Sequence, residues 1–244
     1  MDLASLIKIE HENKPPRIVL HGVHGVGKTT YAASAPSPIF IPTEDGLTTI
    51  DVPHFPVAKT LDDVFNYMGL LIKDDHQYKT FVMDTADWME KLIWEKVCAD
   101  HNVKNIEDVG GGYGKGYTYA LKCWDKTLEG FEKIRAKGMA VVILAHNEIK
   151  TYNPPDGAAY DRYQIKLNVK AATKLEEWAD AVLFANFVVY TDEKEKKAVS
   201  SNERVIHTKS SPAWRTKTRY KLPETLPMDF NALLTAIKGE TNNG

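Results

Sequence analysis

The chain is short of cysteine: Cys98 and Cys123 are the only two in 244 residues, and no C-x-x-C spacing links them. That excludes a disulfide-stapled scaffold. The two thiols read as reduced, half-buried fillers of a cytosolic protein. Long apolar runs are lacking too. The longest, Met139–Ala145, is seven residues, where a membrane-spanning helix needs about 20. The segment Met1-Asp2-Leu3-Ala4 has neither a basic flank nor a long apolar stretch, so no secretory signal is expected. Charge of one sign is scarce in the sum: 31 Lys and Arg against 33 Asp and Glu leave a net −2. No global basic field surrounds the molecule, and any nucleic-acid site must be a local patch. No internal repeat and no linker or low-complexity tract divides the chain, so residues 1–244 are read as one domain.

What is there alternates between strand-like and helix-like segments, the pattern of a mainly parallel sheet with helices on its faces. Arg17–His21, Pro38–Pro42, Thr80–Met83 and Met139–Ala145 read as four short buried strands. Helices are expected over Lys28–Ser34, from a Thr60/Asp63 capping box to about Ile72, over Trp88–Asp100, and from about Tyr119 to Lys137. In the last third, Asn147–Val169 reads as a long polar loop and Lys174–Ala179 as a short helix. Asp180–Tyr190 and Arg204–Thr208 read as an apolar strand and its return, joined by a solvated charged turn at Asp192–Lys197. Asp229 can cap a terminal helix with an apolar face of Phe230, Leu233, Leu234 and Ile237, before a frayed end at Asn242-Asn243-Gly244.

The strongest signal is Gly22-Val23-His24-Gly25-Val26-Gly27-Lys28-Thr29, a full G-x-x-x-x-G-K-[ST] match placed after a strand and before a helix. Wrapping a phosphate in backbone N–H groups needs residues free to curl tightly, and the glycines supply that freedom. Lys28 adds a point charge for the β and γ phosphates. Thr29 offers a hydroxyl to Mg²⁺, and Thr30 extends the amide cradle. Thr80–Asp84 is an apolar strand ending in a carboxylate, which suits a second Mg²⁺ partner. Hydrolysis also needs a group that orients water. Thr85 follows Asp84, so the candidate base lies elsewhere: Glu44, just past the second strand, with Asp45 as the alternative. The fourth strand ends at His146-Asn147, where His146 is placed to sense a γ-phosphate.

Taken together, Gly22–Thr29, Glu44, Asp84 and His146 resemble the RecA-like ATPase core, most closely the small phage-type RecA-like recombinases of single-strand annealing. The resemblance covers roughly residues 15–238. It implies an α/β RecA-like P-loop NTPase: a mainly parallel central sheet flanked by helices, with a C-terminal β-hairpin region and the fourth strand between the P-loop strand and the Asp84 strand. It implies ATP and Mg²⁺ as cofactors and Glu44 as the catalytic glutamate. The implied partners are single-stranded DNA, copies of the same chain in a ring or filament, and a single-strand-binding protein, with no membrane. The implied location is the cytoplasm, that of the host where the gene is phage-borne. Bacterial RecA carries Gln at the sensor position, from which His146 departs.

The resemblance also implies DNA-binding loops. One maps to Asn147–Val169, with Lys150, Arg162 and Lys166 to track phosphates and Tyr152 and Tyr163 to stack bases, diluted by Glu148, Asp156 and Asp161. Val109–Tyr119 holds five glycines interleaved with Lys115 and three tyrosines, either a close-approach surface or a flexible connection. From Arg204 to Pro223 there is no acid but six basic residues. Within it, Lys217-Thr218-Arg219 resembles the paired cations that reach a neighbour's γ-phosphate in that family. The alternatives are an AAA+ helicase loader, disfavoured by Thr85, a small-molecule kinase, and a non-hydrolysing nucleotide-switched scaffold. N-K-x-D and L-S-G-G-Q are absent, which removes GTPases and ABC ATPases.

Overall fold

A computed structural model describes residues 14–192 and 197–239. All but the two end residues of the charged turn expected at Asp192–Lys197, and the tail Asn242–Gly244, lie outside the described residues. The elements in chain order are β1 (Arg17–Gly22), α1 (Lys28–Ala33), β2 (Pro38–Pro42), α2 (Leu61–Lys73), β3 (Thr80–Asp84) and α3 (Ala86–Asp100). A 3-10 turn (Ile106–Gly111), α4 (Lys115–Ala136), β4 (Ala140–Tyr152), β5 (Tyr160–Ile165) and α5 (Val169–Trp178) follow. The chain closes with β6 (Ala181–Asp192), β7 (Lys197–His207), β8 (Lys217–Thr218), β9 (Thr225–Pro227) and α6 (Phe230–Lys238).

Among the described residues the sheet runs β2-β3-β4-β1-β6-β7-β9, with β5 paired to β4 and β8 to β6. The pairs β2–β3, β3–β4, β4–β1 and β1–β6 are parallel. The later additions β5, β7, β8 and β9 are antiparallel. β4 sits between β1 and β3, as the RecA-like resemblance implies.

Alternate side chains of the same strands feed two cores, which is why these strands are apolar throughout rather than every second residue. Val19, Ile41, Phe81, Met83 and Ile143 face a layer holding Met68, Met89, Trp124, Phe131 and Leu175 from α2 to α5. Ile18, Leu20, Phe40, Val82 and Leu144 face Tyr31 of α1 and Phe230 and Leu233 of α6. Trp124 and Phe131 are fully buried, and truncating either to Ala should cost about 3–5 kcal/mol. The Thr60/Asp63 capping box and the Asp229 cap both form as expected.

Three expectations are corrected. Residues 147–169 are not a loop. β4 runs on to Tyr152, and β5 pairs back on it from Asn147↔Ile165 to Tyr152↔Tyr160. The turn lies at Pro154-Pro155-Asp156-Gly157, a breaker cluster between two polar strands whose alternation is too weak in hydrophobicity to announce a sheet. α5 begins at Val169, because the Asn168 side chain accepts from Lys170 N and caps it. α4 begins at Lys115, not near Tyr119. Gly116 is needed inside that helix: a Cβ there would collide with the Ile106 carbonyl oxygen. At this position glycine serves helix packing, not approach to a ligand.

Candidate functional site

The parallel register brings the strand ends to one edge. Gly22 lies opposite His146 on β4, and Asp84 lies opposite Pro42 on β2. The exits of β2 and β3 are stitched together. Thr43 N donates to Asp84 O at 2.7 Å. Thr43 Oγ1 donates to Thr85 O at 2.8 Å and accepts from Thr85 N at 2.8 Å. The Asp84–Thr85 peptide bond is cis. This seam, absent from the sequence reading, fixes where Glu44 can stand.

Lys28 is buried, and its Nζ donates to Gly22 O at 3.0 Å and Val23 O at 3.3 Å. Burial pulls its pKa down, while Asp84, Asp87 and Glu44 pull it back up. Thr29 Oγ1 donates to Asp84 Oδ2 at 2.9 Å. Burial pushes the Asp84 carboxyl up to about 6, against the pull of the Thr29 hydroxyl and Lys28. A buried, under-neutralised carboxylate beside a threonine hydroxyl is a hard-oxygen donor pair, and it fits Mg²⁺. Among the described residues no group of three or more His, Cys, Asp or Glu could hold a metal.

Glu44 is half-buried, and its Oε1 accepts from Thr85 Oγ1 at 3.3 Å. Asp45 is exposed. His146 Nε2 lies 3.9 Å from Glu44 Oε1. On its other side His146 Nδ1 is 2.9 Å from Asp87 Oδ2, and its backbone N–H donates to Asp87 Oδ1 at 3.0 Å. The Asp87 hydrogen bond raises the pKa of His146. Burial tends to raise the Asp87 carboxyl, but the His146 bonds outweigh it and hold it low. The His24 ring of the P-loop stacks 6.1 Å from that of His146. Asp87 thus orients the His146 ring. The signal was its place one turn after Asp84, on the same strand exit.

The DNA candidates divide. Period-two alternation puts Lys150 and Tyr152 on the face of β4 that carries His146, and Arg162 is the cross-strand partner of Lys150. The Arg162 guanidinium lies 4.2 Å from the centroid of the Tyr152 ring, and Lys150 pairs with Glu148 at 2.7 Å. Lys150 and Lys166 also line a cavity of about 500 Å³ with Trp88, Lys91 and Trp94. Tyr163 points to the opposite face. Its ring stacks on Phe184 at 5.1 Å, and its backbone bonds Ala213 and Arg215, so it is committed to the fold. Lys115 donates to Gly110 O at 3.0 Å and closes its own turn at the head of α4.

Lys217 and Arg219 are not brought to the site. β8 pairs with the start of β6, the opposite end of the sheet from Gly22. Lys217 Nζ donates to the carbonyls of Glu176, Glu177 and Ala179 at 2.7, 3.0 and 3.1 Å, capping α5. Arg219 donates to Asp180 Oδ1 at 2.8 Å and to Glu177 O at 3.2 Å. The basic residue that does reach the P-loop is Arg204, whose Nη1 donates to Val26 O at 3.4 Å.

A family model described as AAA domain matches residues 14–220. Solved structures similar to the chain include the RadB recombinase, at 13% identity over 87% of this chain and 86% of that one, TM-score 0.47. A KaiC-like protein from Pyrococcus horikoshii is 12% identical over 88% and 89%, TM-score 0.45. The flagellar accessory protein FlaH from Methanocaldococcus jannaschii is 12% identical over 79% and 78%, TM-score 0.42. No curated protein matches the chain.

Proposed function

The chain belongs to the AAA domain family, and from that premise we propose that it is a Mg²⁺-dependent ATPase that binds single-stranded DNA and acts in recombination by strand annealing. Its core is that of a RecA-like P-loop ATPase. The observation that carries the hydrolytic reading is the meeting of Lys28, the Thr29–Asp84 pair, Glu44 and His146 at one sheet edge. Lys28 and the loop amides would hold the phosphates, and Thr29 and Asp84 would hold Mg²⁺, which would supply charge neutralisation to the triphosphate. Glu44, steadied by Thr85, is placed to orient water. His146, held by Asp87, stands beside Glu44, where a γ-phosphate would alter its hydrogen bonding.

The DNA reading is supported by β4 itself. The strand that ends the site at His146 continues without a break into Lys150 and Tyr152, paired with Arg162. A shift at His146 has a continuous backbone along which to reach those side chains. Assembly into a ring or filament belongs to the same reading. A role for Lys217 and Arg219 at a neighbour's site would require both to leave the end of α5.

ATP turnover measured with and without single-stranded DNA tests both parts. Turnover is expected to rise with DNA and to vanish in Lys28→Ala. Turnover no higher than that of Lys28→Ala rejects the ATPase, and turnover indifferent to DNA rejects the DNA partner.

A further inference from the structure

The triphosphate site has a direction. The residues that would serve a γ-phosphate, Glu44, Asp84 and His146, all sit on the β2-β3-β4 side of β1. A triphosphate with its γ end there must send its nucleoside to the other side, toward β6 and β7. On that side lies a cavity of about 500 Å³, within the roughly 300–1,000 Å³ of small-molecule sites. One wall is a single face of α1, with Gly27, Thr30, Tyr31 and Ser34 at helical spacing. The other wall is Met228 and Asp229, and Arg204 of β7 forms the roof.

The placement of Arg204 is specific. Its Nη1 would lie 2.6 Å from a Cβ at Gly27, so the guanidinium rests directly on that glycine. It bonds the carbonyl of Val26. In a loop that turns its N–H groups inward to an anion, the carbonyls face outward. Arg204 therefore stands outside the phosphate cradle.

We propose that this cavity takes the ribose and base of the nucleoside triphosphate, and that Arg204 closes it by laying its guanidinium plane on the nucleoside. This rests on the reading of Gly22–Thr29 as a nucleotide site and extends it to the part of the ligand that no motif specifies. A planar, weakly hydrated guanidinium suits a base face, the Met228 thioether suits the apolar flank of a base, and the Asp229 carboxylate suits a sugar hydroxyl. Asp229 Oδ1 also accepts from Asn231 N at 3.0 Å as the cap of α6, so its orientation is fixed. The β6–β7 hairpin, anchored on Arg204, then carries the presence of a nucleoside into the C-terminal region.

Calorimetric titration with Mg-ATP and with Mg-tripolyphosphate, which has the phosphates but no nucleoside, separates the parts. Wild type is expected to bind both, ATP more tightly. Arg204→Ala, and Ser34→Trp, which fills the cavity from an exposed position, should each weaken ATP by about tenfold or more. Both should leave tripolyphosphate within about twofold of wild type, which also reports an intact fold. Equal weakening of both ligands would make Arg204 a phosphate ligand and overturn the proposal. So would ATP affinity unchanged in the two variants, or tripolyphosphate bound by wild type as tightly as ATP. Wild type that binds neither ligand rejects the underlying nucleotide site itself.

Discussion

Two sets of cations stand at opposite ends of the same strands. Where β1 and β6 begin, Arg17, Arg135 and Arg219 converge on Asp180, with Arg17 Nη2 at 2.6 Å and Arg219 Nη1 at 2.8 Å from its Oδ1. Beside them Lys217 gives all three of its N–H groups to backbone carbonyls. Where β1 ends, Lys28 gives two of its three to the loop, and among the described residues Arg204 donates to the Val26 carbonyl. A cation whose donors are filled and whose charge is matched holds a fold together. A buried ammonium with a donor to spare is arranged for an anion that arrives later.

The largest effect should come from Lys28→Ala, with turnover lower by about a hundredfold or more and thermal stability little changed, since a desolvated charge is removed. Loss of both stability and turnover would make Lys28 a structural cation like those at the other end. Next, Glu44→Gln should keep Mg-ATP binding while turnover falls by about a hundredfold. Wild-type turnover in that variant would move the base to Asp45.

The opposite end should respond in the reverse sense. Asp180→Ala leaves three guanidinium groups without their buried counter-charge. It should cost about 3–5 kcal/mol, or on the order of 10 °C in melting temperature, with ATP affinity unchanged in the folded protein. Lys217→Ala combined with Arg219→Ala should lower the melting temperature by only a few degrees, since Arg219 is half-exposed and its ion pair screened. ATP turnover of that double variant is the sharper readout. A fall in turnover at unchanged stability would restore these two residues to a neighbour's active site.

The smallest effect lies in pH, and it sets two buried carboxylates against each other. Burial tends to raise Asp180, but its Arg17 bonds outweigh burial and hold it low. Its stabilisation is thus present above the ordinary aspartate value and lost as pH falls through the depressed one. Glu90 of α3 accepts from the neutral donors Asn168 N at 2.8 Å and Trp124 Nε1 at 3.4 Å, and burial pushes it up to about 7. Its contribution is full below the unfolded value of about 4.3 and lost as pH rises through 7. Glu90→Gln should flatten the melting temperature between those limits. A slope that survives the change would assign it to another group.

The parallel half of the fold was legible because its signals are local. Strand, glycine loop and helix follow one another within Arg17–Ala33, and Thr80–Asp84 carries its own carboxylate. The β4–β5 hairpin was not legible, since Asn147, Thr151 and Asp161 put polar residues on the alternate face as well and mask the period-two pattern that marks a half-buried strand. Tyr163 reads in the sequence as a base-stacking residue, and only the tertiary structure shows its ring packed on Phe184.

The sequence by itself determined the glycine-rich loop Gly22–Thr29 between a strand and a helix, because a loop that folds on its own neighbours needs no distant partner. It also placed a carboxylate at the end of the third strand. Only the tertiary structure decided which cations reach that loop. Arg204 and Lys217 lie in one acid-free stretch, yet they stand at opposite ends of the sheet. β7 runs antiparallel to β6 and sets Arg204 opposite Phe187, past the end of β1, while β8 joins β6 at its start, Ala181 and Val182. Strand register, fixed by which apolar faces must be buried, converts a short separation in the chain into the full length of a strand.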